Sequence, residues 1–372
     1  MASKVNHEHL IETLNEKVLE FIEKVRVEGV SVALIRDANI IWSEGFGYRN
    51  KEKGLPVTPK TIFEAASLTK PVAAYITLQF CHEGLIDLDT PLNDYLPAPY
   101  LKDEPLLEFI TTRHVLSHTT GFPNWGSEEI PLKVYFTPGE RFSYSGEGFM
   151  YLQRVLEHLT GKSFESIAQQ RVFVPLGIEN ASMIWQGTYK ELSAIGHYRK
   201  GTIRKKWRPS KAFAASSLHI APSGYAKFLI ELMQDDSSKK IPLSEDFIAE
   251  MFSPRVPVNN AGLASRHDWP KSQVIERNDL FWGLGWGLEK SNDKSYFWHW
   301  GDNEYFHCFT AGCREEKSAF IMMTNSRKAQ IMTKTKKVLR AYKGILEGAM
   351  DEEGGKQAID WLASFVIEKN IN

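Results

Sequence analysis

Apolar residues form short runs near both ends of the chain. Residues 30–35 and 40–48 are apolar and rich in β-branched side chains, and the polar residues 36–39 between them are typical of a hairpin turn. Four later runs also predict short strands: 282–288, 296–300, 305–311 and 319–324. The pattern therefore predicts strands at both ends of the chain.

Helical spacing of apolar residues dominates elsewhere. Residues 1–25 predict an amphipathic helix, because apolar residues recur there every three or four positions: Ile11, Leu14, Val18, Ile22 and Val25. Residues 151–159 show similar spacing and stop at Thr160-Gly161, a common helix end. A closing helix is predicted from three apolar residues: Ile359, Leu362 and Val366.

Strands at both ends with helices between them predict an α+β fold in one domain, residues 1–372. An antiparallel sheet flanked by terminal helices would come from residues 1–68 and 271–372. A mostly helical subdomain would come from residues 69–270. We expect an active site in the cleft where the two parts meet.

Charge and composition narrow the range of partners. The chain has 45 Lys and Arg against 46 Asp and Glu, a formal net charge of −1, which argues against nucleic acid or an anionic membrane as a partner. We find no apolar stretch typical of a signal peptide or a membrane span. The three cysteines, Cys81, Cys308 and Cys313, favour a reduced, cytoplasmic protein.

The stretch Phe-Glu-Ala-Ala-Ser-Leu-Thr-Lys places Ser67 three residues before Lys70. It follows a strand-like run and precedes a helical pattern that begins with Pro71, so Ser67 falls near a helix N-terminus. A desolvated Lys70 on the same face would have a lowered pKa and act as a base toward the serine. Alternatively, Ser67 only caps the helix and Lys70 only solvates its surface. This segment alone leaves both interpretations open.

The same spacing occurs in two other places. The pair Ser237 and Lys240 lies in a polar run, and the pair Ser291 and Lys294 lies in a turn between predicted strands. We expect both lysines to be solvated and protonated, which makes these pairs poor candidates for catalysis.

Several segments resemble one known family, in the family's order. Residues 63–70 and 136–145 (Phe-Thr-Pro-Gly-Glu-Arg-Phe-Ser-Tyr-Ser) are similar to the first and second catalytic motifs of penicillin-binding proteins, class C β-lactamases and related serine esterases and D-amino-acid peptidases. Residues 84–92 and 113–122 (Arg-His-Val-Leu-Ser-His-Thr-Thr-Gly-Phe) resemble two more of its segments. Residues 299–301, His-Trp-Gly, stand at the third motif, where many esterase-like members have His-x-Gly.

The resemblance implies a β-lactamase-like fold and a role for each motif. Ser67 would attack a carbonyl and form an acyl-enzyme, while Lys70 and Tyr144 move its proton, the tyrosine as phenolate or as hydrogen-bond relay. The backbone N–H groups of Ser67 and Asp302 would form the oxyanion hole. His299 would lie beside Tyr144, holding its proton network or touching the leaving group.

Three features of the motifs affect the expected substrate. Gly146 replaces the usual asparagine of the second motif, which leaves no polar arm there. His299 replaces the lysine of penicillin-recognising members and would supply a weaker, pH-dependent positive charge. Asp302 and Glu304 would repel a substrate carboxylate if either faces the cleft. We therefore expect ester hydrolysis in preference to β-lactam hydrolysis.

Aromatic residues near the motifs are candidates for an acyl pocket, although core packing explains them equally well. The residues predicted to contact substrate are Trp125, Gly146, Trp300, Gly301 and Tyr305. The His7-Glu8-His9 stretch lacks zinc-protease spacing, and Cys308 and Cys313 lack a Cys-x-x-Cys pair, so we predict no metal. We predict no organic cofactor either.

Together these features predict a cytoplasmic serine hydrolase that cleaves small-molecule carboxylic esters or small amides. One alternative is a penicillin-recognising D,D-peptidase or β-lactamase. Another is a non-catalytic scaffold or binding protein with the same fold, although the chain retains the serine, lysine and tyrosine of the motifs. The sequence leaves the natural substrate and the oligomeric state open.

Overall fold

A nine-stranded antiparallel sheet forms the centre of the protein. The computed structural model describes residues 7–198, 200–258, 280–291 and 294–330. The strands are β1 Gly29–Arg36, β2 Asn39–Asn50, β3 Leu55–Pro56, β4 Phe63–Glu64, β5 His219–Ile220, β6 Val256–Pro257, β7 Leu280–Trp282, β8 Gly287–Ser291, β9 Lys294–Asp302, β10 His307–Cys313 and β11 Ser318–Thr324. Their order in the large sheet is β3-β2-β1-β11-β10-β9-β8-β7-β6, so β1 from the beginning of the chain pairs with β11.

Helices cover both faces of this sheet. They are α1 His7–Val25, α2 Thr69–His82, α3 Thr112–Leu116, α4 Gly146–Thr160, α5 Phe164–Ala168, α6 Tyr189–Leu192, α7 Pro222–Met233 and α8 Glu245–Phe252. Helix α1 packs Leu14 and Phe21 against one face, as the apolar spacing predicted. Helix α2 is buried along most of its length in the core on the other face. The predicted α+β fold class is thus confirmed.

The predicted hairpin at the start of the sheet is confirmed. Strands β1 and β2 are joined by Asp37 and Ala38, whose φ angles are +49° and +54°. Positive φ at both positions of a two-residue loop matches the twist of antiparallel strands. The polar residues 36–39 therefore identified the turn correctly.

The prediction of one strand at residues 282–288 was wrong. Strand β7 ends at Trp282 and β8 begins at Gly287, with a tight loop between them. The N–H of Gly283 donates to the carbonyl oxygen of Trp286 across this loop, at 2.9 Å. Gly285 has φ +87° and lies against Ala74 of helix α2. Glycine suits position 285 in this turn, because L side chains rarely adopt such a φ angle.

The segment predicted to be mostly helical, residues 69–270, also contains strands. Strand β5 pairs with β4 in a separate two-stranded sheet, and β6 is the last strand of the large sheet. The later strands of the large sheet therefore begin with β6, before the predicted boundary at residue 271. The division into two subdomains stays a prediction. The predicted closing helix at 359–366 lies outside the described residues.

Side chains of β9 alternate between the two faces of the sheet. Phe297 belongs to the core that contains helix α2, whereas Trp298 and Trp300 face the cluster that contains α1. His299 follows the phase of Phe297 and contacts Trp286. Strand β9 therefore directs His299 toward the helices between β4 and β6. Among the described residues, no helix is long and apolar enough to cross a membrane.

Candidate active site

Ser67 lies in a short 3-10 turn, Ala66–Leu68, where strand β4 passes into helix α2. The N–H of Ala65 donates to the carbonyl oxygen of Leu218, which ties the turn to the chain before β5. Ala66 has φ +48°, a left-handed conformation that is uncommon for a residue with a side chain. Ser67 is partly exposed while its two neighbours are buried, so the turn presents its hydroxyl at the surface of the core.

Lys70 is one helical turn after Ser67 and is buried. Its Nζ lies 3.0 Å from Oγ of Ser67 and 2.8 Å from the carbonyl oxygen of Ala215. Burial lowers the pKa of Lys70 to about 7. A substantial neutral fraction therefore exists at neutral pH, and the amine is within reach of the serine proton.

Tyr144 precedes helix α4, and its ring centroid lies 4.8 Å from Nζ of Lys70. Burial raises the pKa of Tyr144, and the nearby Ser67 hydroxyl opposes that rise. The neutral phenol is therefore favoured, which supports the predicted hydrogen-bond relay over the phenolate. Apart from this Ser67 hydroxyl, the buried phenol oxygen has no hydrogen-bond partner within the described part of the chain.

His299 is buried in strand β9, with its ring centroid 6.2 Å from that of Tyr144. Its Nδ1 lies 2.8 Å from the carbonyl oxygen of Trp300, which can only accept, so Nδ1 carries the proton and Nε2 is an acceptor. Burial and the charge of Lys70 lower the pKa of His299 to about 3. His299 is thus neutral near pH 7, and the expected pH-dependent positive charge at this position was wrong.

The third motif packs directly on the turn that carries Ser67. A Cβ atom on Gly301 would overlap the carbonyl oxygen of Ala65 and would lie 3.3 Å from Cβ of Ala66. The end of β9 is therefore held beside the nucleophile, with Asp302 as the next residue. The role of the Asp302 N–H in an oxyanion hole stays a prediction.

The Asp302 carboxylate is engaged within its own hairpin. Its Oδ1 accepts a hydrogen bond from the N–H of Glu304 at 2.9 Å and lies 3.6 Å from Nδ1 of the buried His307. The sequence left open whether Asp302 faces the cleft. Repulsion of a substrate carboxylate by Asp302 stays a prediction.

Gly146 is the first residue of helix α4 and lies under the indole of Trp125. A Cβ atom at position 146 would lie 2.7 Å from Cζ2 of Trp125. The N–H of Gly146 also donates to Oδ1 of Asn124 at 3.0 Å. An aromatic ring therefore occupies the space that an asparagine side chain at position 146 would need.

The other two predicted aromatic contacts differ from each other. Trp300 has its ring centroid 5.1 Å from that of Tyr144 and stacks on Trp298 at 5.7 Å. Tyr305 lies 4.8 Å from the ring of Tyr198 and 4.6 Å from the guanidinium of Arg204. Trp300 is thus beside a motif residue, and Tyr305 is part of a neighbouring cluster. Contact with substrate stays a prediction for both.

Glu64 is a residue near the site that the sequence analysis missed. Its buried carboxylate accepts a hydrogen bond from Nδ2 of Asn303 and lies 3.7 Å from Nη1 of Arg204. Burial raises its pKa to about 7, and Arg204 opposes that rise. Glu64 joins the nucleophile turn to the hairpin after β9. It lies inside the quoted first motif, so its position in the sequence was a usable signal.

His118 was also quoted in a motif without receiving a role. It is fully buried, and its ring centroid lies 4.2 Å from that of Tyr144. The contact of Lys70 with Ala215 could not be predicted from the sequence, because Lys70 binds the backbone carbonyl oxygen, which every residue has. Among the described residues, no group of three or more His, Cys, Asp or Glu side chains is arranged to hold a metal ion.

The other two Ser-x-x-Lys pairs lack this arrangement. Ser237 and Lys240 are both exposed. Lys294 pairs with Glu316 at 2.5 Å. Neither lysine shows the burial that distinguishes Lys70.

Comparisons with known proteins agree with this geometry. The family model described as Beta-lactamase matches residues 13–342. A penicillin-binding protein of Bacillus subtilis is 27% identical over 203 residues, which cover 49% of this chain and 43% of that protein. The chain therefore spans less than half the length of this relative.

Two solved structures share the fold. The octameric penicillin-binding protein homologue from Pyrococcus abyssi has a TM-score of 0.69 at 22% identity, covering 87% of this chain and 76% of that one. The beta-lactamase/D-alanine carboxypeptidase from Pseudomonas syringae has a TM-score of 0.72 at 15% identity, covering 89% and 98%. At these identities the likeness extends to the fold alone.

Proposed function

The chain belongs to the β-lactamase family, and we therefore propose that it is a serine hydrolase that forms an acyl-enzyme at Ser67. The observation that carries this proposal is the distance of 3.0 Å between Nζ of Lys70 and Oγ of Ser67. Because Lys70 is buried and its pKa is lowered to about 7, its neutral amine is available to take the serine proton.

Acylation follows from this arrangement. Ser67 Oγ attacks the carbonyl carbon of the substrate while its proton passes to Nζ of Lys70. The Tyr144 phenol, kept neutral by burial, relays that proton to the leaving alcohol or amine. The carbonyl oxygen becomes an oxyanion, which the N–H groups of Ser67 and Asp302 stabilise by about 3–4 kcal/mol. Collapse of this intermediate breaks the bond to the leaving group.

Deacylation repeats these steps with water. The same groups take a proton from the attacking water, and the acyl bond to Ser67 breaks as the serine recovers its proton. His299 presents a lone pair on Nε2 beside Tyr144, because its Nδ1 proton is used by the Trp300 carbonyl. It serves as a neutral hydrogen-bond acceptor within the proton network.

We infer that the substrates are carboxylic esters or small amides. A neutral His299 offers no cation for a substrate carboxylate, and Trp125 fills the space of the asparagine amide that would hold a peptide carbonyl. The names of the relatives point instead to penicillins and D-alanyl peptides, which remain the alternative substrates. A non-catalytic scaffold is disfavoured by the burial of Lys70 against Ser67.

Labelling with a fluorophosphonate tests the proposal, since this probe reacts with activated serines. The wild-type protein is expected to label at Ser67, and Ser67→Ala is expected to remain unlabelled. Ser237→Ala is the matched control, because Ser237 has the same spacing to a lysine but is exposed. Failure of the folded wild-type protein to label would overturn the hydrolase proposal in favour of the scaffold.

A further inference from the structure

His118 holds the segment that carries Tyr144 on both sides of that residue. The carbonyl oxygen of His118 accepts a hydrogen bond from the N–H of Ser143 at 2.8 Å. Its ring Nδ1 accepts another from the N–H of Ser145 at 3.0 Å. The residues directly before and after Tyr144 therefore both donate a backbone hydrogen bond to one residue from a different part of the chain.

The ring of His118 also packs on the ring of Tyr144. Their centroids are 4.2 Å apart and their planes are inclined by 32°. The other rings around His118 belong to Phe142, Phe149 and Trp282. Since all of these contacts are in the buried core, the phenol has little freedom to rotate or to tilt.

The backbone of His118 is in the left-handed region, with φ +56°. A residue with a side chain keeps such a conformation where the surrounding contacts determine it. Residues 117–119 carry further local bonds: the N–H of Ser117 donates to the carbonyl oxygen of Arg113, and the N–H of Thr119 to that of His114. The loop around His118 is thus anchored to helix α3.

The hydrogen bond from Ser145 fixes the protonation state of His118. Because Nδ1 accepts, the proton of the neutral ring is on Nε2. Burial, together with the charge of Lys70, lowers the pKa of His118 well below its ordinary value. A charged ring would place a proton on Nδ1 and lose the bond to Ser145.

We propose that His118 is a positioning residue that holds the Tyr144 phenol in place for proton transfer between Ser67, Lys70 and the leaving group. This inference rests on the proposed function, in which Tyr144 relays the proton. Proton transfer requires the phenol oxygen to stay within hydrogen-bond reach of its partners, and small displacements of a reacting group reduce the rate strongly. His118 acts through Tyr144 and does not exchange a proton itself.

Two substitutions separate the contacts of His118. His118→Phe keeps a ring against Tyr144 but leaves the N–H of Ser145 without its acceptor. His118→Asn keeps an acceptor at the position of Nδ1, tolerates positive φ and removes the ring. We expect His118→Phe to lower kcat for an aryl ester by roughly ten- to a hundredfold, with KM changed by less than about threefold. His118→Asn is expected to retain more of kcat than His118→Phe.

A double-mutant cycle with Tyr144→Phe tests whether the effect passes through the tyrosine. If His118 acts through Tyr144, then adding His118→Phe to Tyr144→Phe lowers kcat by less than about twofold. If the two losses multiply, His118 affects the site by general packing and the proposal is overturned. If His118→Phe does not fold, the same cycle with His118→Asn gives the answer, since circular dichroism and the melting temperature identify the folded variants.

The cycle also separates this inference from the proposed function. A strong effect of Tyr144→Phe together with wild-type turnover by His118→Phe would overturn the role of His118 alone. An undiminished kcat in Tyr144→Phe would overturn the relay role of Tyr144 and with it the role of His118, whereas the acyl-enzyme at Ser67 is tested separately by the fluorophosphonate label.

Discussion

Gly301 of strand β9 lies against the carbonyl group of Ala65, so close that a Cβ atom on Gly301 would overlap the carbonyl oxygen. This contact sets the distance between the third motif and the turn that carries Ser67. The groups in contact belong to the backbones of Gly301 and Ala65, so rotation of a side chain cannot relieve a clash between them. The glycine of the third motif is thus a geometric requirement of the proposed site.

Gly301→Ala is therefore expected to lower kcat/KM for an aryl ester by roughly a hundredfold, because the end of β9 must move away from the nucleophile. Gly187→Ala is the matched control, since a Cβ atom there meets nothing within 4 Å and the backbone φ is not positive. Steady-state kinetics of the two variants make the comparison. Wild-type activity in Gly301→Ala would show that the close approach is not needed.

Lys70→Met is expected to remove activity while preserving the fold, because an apolar chain of similar length fills the same buried space. Loss of the proton acceptor should lower kcat by about a hundredfold or more. A folded Lys70→Met protein with near-normal turnover would exclude the lysine from the mechanism.

The same variant should also change the dependence of stability on pH. The pKa of Lys70 is about 7 in the folded protein and near its ordinary value of 10.5 in the unfolded chain. Between these pH values the unfolded chain binds more protons, so the free energy of unfolding of the wild type rises as the pH rises from about 7 to about 10. Lys70→Met lacks this contribution and is expected to be more stable than the wild type at pH 7. Urea unfolding of both proteins at several pH values gives their free energies of unfolding. The difference between the two proteins at each pH measures the contribution of Lys70.

Activity is expected to rise with pH through about 7. The neutral amine of Lys70 is the reactive form, and its pKa is about 7, so kcat/KM increases as the amine loses its proton. Glu64 also has a pKa of about 7, so its titration would produce a similar rise in kcat/KM. Glu64→Gln removes that group while retaining an acceptor for Asn303. If kcat/KM of Glu64→Gln still rises with pH through about 7, the rise belongs to Lys70. If the rise disappears in this variant, the titrating group is Glu64.

The neutral His299 leads to a prediction about substrate charge. With a neutral His299 in place of the motif's lysine, a β-lactam loses a charge-assisted hydrogen bond to its carboxylate, worth about 1.5–3 kcal/mol or roughly ten- to a hundredfold in affinity. We expect efficient hydrolysis of short-chain aryl esters and little turnover of cephalosporins by the purified protein. Equal efficiency on both substrates would contradict the neutral state of His299 as the basis of selectivity.

A pair of variants controls for the shape of the cleft. Gly146→Asn restores the amide of the family motif but clashes with Trp125, whose Cζ2 would be 2.7 Å from the new Cβ. Combining Gly146→Asn with Trp125→Ala removes the clash with the indole and leaves the carbonyl oxygen of Asn124 at 3.0 Å from the new Cβ. The double variant is expected to gain amide or cephalosporin turnover relative to ester turnover, while Gly146→Asn alone mainly loses activity.

Much of the fold was predictable because its signals are local. The first hairpin follows from two β-branched runs around a polar turn, and helix α1 follows from apolar spacing. The motif residues Ser67, Lys70 and Tyr144 were identified by resemblance, and the fold brings them together. The loop at residues 283–286 was missed because glycines alternating with tryptophan and leucine have the same period as a strand.

Other features depend on burial, which a sequence does not display. The neutral state of His299 arises from its enclosure between the sheet and the helices, and a surface histidine would have the same letter. The contact of Lys70 with Ala215 joins residues 145 positions apart through a backbone carbonyl. The hydrogen bond that the Asp302 carboxylate accepts from the N–H of Glu304 likewise required coordinates.

Identification of the covalent intermediate gives the clearest test of the mechanism. The purified protein is mixed with an aryl acetate, quenched in acid during turnover and digested, and the peptides are examined by mass spectrometry. We predict an acetyl group on Ser67 in the peptide that contains residues 63–70, with no acetylated peptide and no ester hydrolysis in Ser67→Ala. Acetylation at a different residue, or undiminished hydrolysis by Ser67→Ala, would contradict an acyl-enzyme at Ser67.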